Sequence, residues 1–124
     1  MRKQYHLRQT ADGKKIWDIH RLVELTSNLP TIQISVEAIK ELDEAFWFDE
    51  GHSPTCREIL LHARLIHETN LKYPIILSSD GRVMDGMHRV LKAALEGREF
   101  IEAVQFKQDP EPDYVDVPLE ELPY

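Results

Sequence analysis

The chain has 124 residues, with 15 Lys+Arg against 22 Asp+Glu for a formal net charge of −7. At 42% hydrophobic and 30% charged residues it reads as one globular domain large enough to bury a core, not as a disordered or fibrous chain. It has no apolar run of the roughly 18–20 residues that span a bilayer, no signal-peptide stretch at its start, and a single Cys56 that cannot form an internal disulfide. These features point to the cytoplasm and to no membrane contact.

The negative charge is unevenly placed. Residues 107–124 carry −5 (Lys107 against six acids), residues 41–50 carry −5 with no base, and the rest of the chain carries +3. A basic stripe for nucleic acid is absent from this pattern, so nucleic-acid binding is not expected.

In chain order, residues 1–13 are polar and end in an Asp12-Gly13 turn signal. Ile16, Ile19 and Val23 at helical spacing, widened by Leu22, Leu25 and Leu29, predict a helix over 14–29, stopped by Asn28 and Pro30. The β-branched run 31–36 predicts a strand. Ser35 is placed to cap a short helix over 36–42. An acidic, aromatic loop with Phe46, Trp47 and Phe48 follows, and those rings need burial. Thr55 and Glu58 form a capping-box pattern that opens a helix over 55–70. A strand at 74–77, a tight turn at Ser79-Asp80-Gly81 and a return strand at 82–84 follow. Residues 86–96 predict a third helix with Val90, Leu91, Ala94 and Leu95 inward and Gly97 as the stop. A last strand spans 100–106, and the tail, with four prolines, is extended or irregular.

Chemistry concentrates where the return strand meets the third helix, at Asp85-Gly86-Met87-His88-Arg89. A helix start exposes about four unpaired N–H groups and roughly half a positive charge. Gly86 allows close backbone approach, and His88 and Arg89 add side-chain donors, a combination suited to phosphate. Asp85 either caps the helix or holds a metal ion beside the phosphate.

The pattern of P-I-I-L, turn, short strand, D-G-x-H-R, helix with A-A-x-x-G, and strand resembles the ParB/sulfiredoxin superfamily over about residues 30–106. The resemblance implies an α/β (α+β) single domain with a small mixed sheet. It divides the chain into an N-terminal helical extension (1–29), a ParB/sulfiredoxin-like domain (30–106) and an acidic, proline-rich C-terminal strap (107–124). It also implies nucleotide binding by residues 85–89, with Mg2+ as the accompanying cofactor. Two departures narrow it. Sulfiredoxins carry a nucleophilic Cys where this chain has Met87, which cannot act as a thiolate. Partition proteins carry a Glu-Arg pair at Met87-His88 and a DNA-reading domain after the residue equivalent to Phe106. Neither sulfiredoxin activity nor a DNA clamp is therefore expected, and the D-G-x-H-R form looks closest to the kinase-like branch.

In that branch a carboxylate near residues 41–44 acts as base. Glu41, Asp43 and Glu44 are the candidates here, for base or for Mg2+ binding; the plainer alternative is a solvated acidic loop pinned by its aromatics. Trp47 either stacks on a base or packs. Thr55 and Arg57 offer a second phosphate contact, although capping alone explains Thr55. His52, Cys56, His62 and His67 match no zinc spacing, and no zinc is expected. His62 lies one turn after Glu58, a local helix pair. The expected function is therefore a nucleotide- or phosphate-binding protein, in its enzymatic form a small-molecule kinase or nucleotide hydrolase. The alternative is a non-catalytic interaction or regulatory domain with a homodimer or protein partner. A DNA-binding or nuclease module is the least expected.

Overall fold

The structure is a computed structural model and describes residues 4–48 and 51–124. Asp49 and Glu50, part of the acidic stretch, and residues 1–3 lie outside the described residues.

A four-stranded mixed sheet organises the α+β fold. Its order is β3 (Ile32–Ser35), β6 (Phe100–Gln105), β4 (Ile75–Leu77), β5 (Val83–Asp85). β6 runs antiparallel to β3 and parallel to β4, and β4 turns directly into antiparallel β5. The parallel β4–β6 pair needs a crossover, supplied by β5 and α3 (Met87–Leu95). Side chains alternate across the sheet and build two cores. On one face Ile75, Leu77, Val83, Ile101 and Ala103 meet Met87, Val90 and Ala93 of α3. On the other, Ile76, Met84, Val104 and Phe106 meet Trp17, Ile19 and Leu22.

The second face corrects the N-terminal reading. The helix expected over 14–29 is only α1 (Ile19–Thr26), and the residues before it form a hairpin of β1 (Tyr5–Thr10) and β2 (Gly13–Asp18). Thr10 pairs with Gly13, so Ala11-Asp12 is a two-residue hairpin loop at the predicted turn signal. Ile16 fits the helical stripe of α1 by coincidence of spacing. It is fully buried as a strand residue, while Asp18 caps α1 by accepting from the His20 amide. Residues 4–29 are thus no helical appendage, since Trp17, Ile19 and Leu22 are three of the seven buried residues of one core.

The tail carries a two-residue strand, β7 (Tyr114–Val115), which pairs with Lys15 and Ile16 of β2. Its acids act mainly as acceptors for backbone N–H groups. Asp109 takes the Ser79 amide at 2.7 Å, Asp113 the Asp18 amide at 2.8 Å and the Arg21 guanidinium, and Asp116 the Lys14 amide at 2.7 Å. The Trp17 indole N–H donates to the Pro110 carbonyl, and Leu122 is buried. Half of the acids in the tail are therefore spent on holding it to the body.

Three smaller corrections concern helices. The short helix over 36–42 is two 3-10 turns, Val36–Ala38 and Lys40–Asp43, and Ser35 makes no side-chain cap. α3 buries Met87, Val90 and Ala93, whereas Ala94 and Leu95 face outward. α2 (Cys56–Glu68) has the expected Thr55–Glu58 capping box, but it buries no residue, and Ile59 and Leu60 are about half exposed. Among the described residues no helix is long and apolar enough to cross a membrane.

Candidate phosphate-binding site at the start of α3

β5 ends at Asp85 and α3 begins at Met87, so Gly86 makes the whole turn between strand and helix. Its φ of +106° is a backbone conformation that side chains disfavour. A Cβ there would lie 2.7 Å from both Ile75 Cγ2 and Arg89 Nη2. Gly86 has no side chain with which to cap α3, and no side-chain cap bond is made to the first amides of the helix.

Three clefts meet at this junction. One of about 330 Å³ is lined by Asp85, Gly86, His88 and Arg89 of the turn and helix start and by Leu65, Glu68 and Thr69 at the end of α2, with Gln4. A second, of about 350 Å³, lies between the hairpin residues Tyr5, His6 and Leu7, the aromatics Phe46 and Trp47, and the 84–88 turn. The third is the largest, about 610 Å³, and mostly apolar. It runs between α1 and β4 from Val23 and Tyr73 to Asp85 and Arg89.

Arg89 is tethered. Its Nη2 donates to Asp85 Oδ2 at 3.2 Å and to the Pro74 carbonyl at 3.4 Å, while its buried Nε has no acceptor among the described residues. The Asp85–Arg89 pair, four residues apart across the helix start, lines both the first and the third clefts.

His88 is set in an aromatic stack. Its Nε2 lies 2.9 Å from His62 Nδ1, the two imidazoles are nearly coplanar, and the Trp47 indole covers both at centroid distances of 4.4 and 4.1 Å. The plain helix pair expected for His62 is corrected here. Glu58 bonds His52 at 3.0 Å and its own cap instead, and His62 reaches across to α3. Burial pushes His88 down to about 4, helped by its neighbours His62 and Arg89, and burial lowers His62 as well. Both rings are thus neutral near pH 7, and one donates its N–H to the lone pair of the other. With Nε2 engaged, Nδ1 is the His88 nitrogen left for a ligand.

His6, on the strand that walls the second cleft, is buried against Trp17, and its Nε2 has no partner among the described residues. Burial, with the charges of Arg8 and Arg82, lowers it to about 4. Between pH 6.5 and about 4 the unfolded chain therefore binds protons that His6 and His88 in the folded protein do not. Stability is full above pH 6.5 and falls as pH drops through that window. Urea unfolding at about pH 7.5 and about pH 5.5 should show a lower midpoint at the acid value. His6→Phe should shrink the difference, and equal midpoints in the wild type would refute the assignment.

The other candidates lie elsewhere. Glu41 is 2% exposed, and its Oε2 accepts the Val83 amide with Arg82 Nε 3.6 Å away. Glu44 receives both terminal nitrogens of Arg82, one at 2.8 Å. Asp43 is exposed. None of the three lines the clefts around Asp85, where the carboxylates sharing a cleft with Arg89 are Glu68 and Glu24. Thr55 is used by its capping box, and Arg57 is exposed on α2; neither lines these clefts. Met87 packs in the core and offers only its backbone. Asp85, Gly86, His88 and Arg89 do come together. His62, Trp47 and His6 join them unexpectedly, since no spacing in the sequence links residues 6, 47, 62 and 88. Among the described residues no three His, Cys, Asp or Glu side chains converge as a metal site.

No family model matches the chain, and no curated protein or solved structure is significantly similar to it.

Proposed function

We propose that the start of α3 binds the phosphate of a small ligand, in the first instance a nucleotide, on a domain of the ParB/sulfiredoxin type. The observation that carries this is the helix start at Gly86, which has no side-chain cap and lines two clefts, with Arg89 held beside it. Backbone amides and one guanidinium are the donors a phosphate needs, and the helix dipole adds favourable field. Neutral His88 contributes an N–H hydrogen bond, not a charge. A nucleotide-bound Mg2+ would take Asp85 as its protein carboxylate, with the remaining ligands from phosphate and water. The third cleft offers apolar surface for the rest of the ligand.

Calorimetric titration with ATP, ADP and CTP, each with Mg2+, tests the reading. Saturable binding to the wild type, weakened at least about tenfold in Arg89→Ala, a loss of about 1.4 kcal/mol, is expected. Flat titrations, or equal binding by Arg89→Ala, would overturn it. The enzymatic extension, phosphotransferase or hydrolase, predicts release of ADP from ATP that disappears in the same variant. The bare face of α2 favours a second reading alongside it, a role in protein association.

A further inference from the structure

We infer that the outward face of α2 is a self-association surface on which a second copy of the chain docks antiparallel. The inference does not rest on the ligand reading, although Leu65 and Glu68 on its flank also line the first cleft. α1 and α3 each bury three residues, whereas none of the 13 residues of α2 is buried. The side of α2 turned to the body carries half-buried Glu58, His62, Ala63 and Ile66. At 100° per residue the opposite side presents Arg57, Leu60, Leu61, Arg64, Leu65 and Glu68. Leu60, Leu61 and Leu65 are 55%, 52% and 38% exposed. Leu61 and Leu65 are neighbours one turn apart, and Leu60 lies about 100° round the helix from Leu61, so the leucines flank the charged line of Arg57, Arg64 and Glu68 and leave apolar surface open to a partner.

The charges on that face select the occupant. Arg57 and Glu68 sit at opposite ends, three turns apart and nearly in line along the axis. Among the described residues neither they nor Arg64 form an ion pair. An antiparallel second α2, related by a two-fold axis between His62 and Ala63, sets Arg57 opposite Glu68 twice. It also sets Leu61 against the aliphatic stem of Arg64, with Leu60 and Leu65 level with each other at the two edges of the seam. A parallel pairing would instead place Arg57 on Arg57 and Glu68 on Glu68. The face is therefore complementary to itself in one orientation.

A 13-residue helix is about 20 Å long, so the contact covers less than the roughly 800 Å² per partner of a standard interface. The dimer is accordingly concentration-dependent, with half-association in the range of about 10 μM to about 1 mM. Sedimentation velocity across that range should show a monomer shifting to a dimer. Leu61→Glu should hold the protein monomeric throughout. Arg57→Glu and Glu68→Arg should each weaken association at least about tenfold, and the double exchange Arg57→Glu/Glu68→Arg should recover it. The three positions changed are all exposed, and circular dichroism verifies that the variants are folded. A wild type that stays monomeric, single variants that associate like the wild type, or a double variant no better than the singles would each overturn the inference.

Discussion

Gly86→Ala should lower the free energy of unfolding by about 2–5 kcal/mol. Left-handed backbone costs a side-chain-bearing residue about 1–2 kcal/mol. The new methyl adds an overpacking cost of about 1–3 kcal/mol, because it meets Ile75 Cγ2 and Arg89 Nη2 at 2.7 Å. Ile75 is fully buried between β6 and α3 and cannot retreat without moving the sheet. Arg89 can move, but only by leaving Asp85 and the Pro74 carbonyl. Thermal unfolding should therefore show a midpoint lower by about 10 °C for a domain of this size. Phosphate binding by the folded fraction should fall with it, since the same methyl displaces Arg89 and narrows the helix start. A midpoint within about 3 °C of the wild type would mean that Gly86 is a tolerant turn and not a position both fold and site require.

Glu41→Ala should cost a similar amount, about 2–4 kcal/mol, while Glu44→Ala costs under about 1 kcal/mol. The two residues have the same chemistry and both touch Arg82, so burial separates them. Glu41 is 2% exposed and accepts the amide of Val83, the first residue of β5. Its removal leaves that amide without an acceptor, leaves Arg82 with Glu44 alone, and opens a void beside Val83. Glu44 is exposed, and solvent replaces most of what its pair with Arg82 contributes. Glu41→Gln should be milder than Glu41→Ala, because its amide oxygen can still accept from Val83. Urea midpoints of the three variants check the order. A catalytic base would give the opposite pattern, with stability little changed and turnover lost. The contact with Val83 makes Glu41 a clamp between the 3-10 turn Lys40–Asp43 and β5.

The acidic stretches illustrate how function and structure compete for the same residues. Read as charge alone, 41–44 looks like a supply of catalytic carboxylates and 107–124 like a solvated strap. In the fold, Glu41, Asp109, Asp113 and Asp116 each accept a backbone N–H from a neighbouring element. A carboxylate that replaces a missing strand partner has no spacing signature, because its donor lies 30 to 102 residues away along the chain.

Local rules explain what was legible. The capping box at Thr55, the strands at 32–35, 75–77 and 100–105 and the helix start after Gly86 are all written in contiguous residues. There the competing conformations are separated by backbone and capping energies that depend on neighbours in sequence. The hairpin at 5–18 was hidden because its two strands are polar on one side, and Ile16 happens to fall on the helical stripe of α1. Only pairing with β7 and burial of Trp17 under the tail choose strand there. The same holds within the site. Asp85, Gly86, His88 and Arg89 are adjacent in sequence, so their meeting follows from one turn of chain. His62 and Trp47 reach His88 from other elements, His6 shares the second cleft, and only tertiary packing brings them there.

By itself, then, the sequence of 124 residues and net charge −7 determined a single mixed domain with a candidate anion site at one helix start. The tertiary structure decided that His88 is neutral and covered by Trp47, that Arg89 is tethered to Asp85, and that much of the negative charge is structural. It also decided that α2 shows its leucines to solvent. The physical reason is range. Turn and cap preferences act over a few residues, whereas burial, ring stacking and long-range amide–carboxylate bonds depend on which elements the completed fold sets side by side.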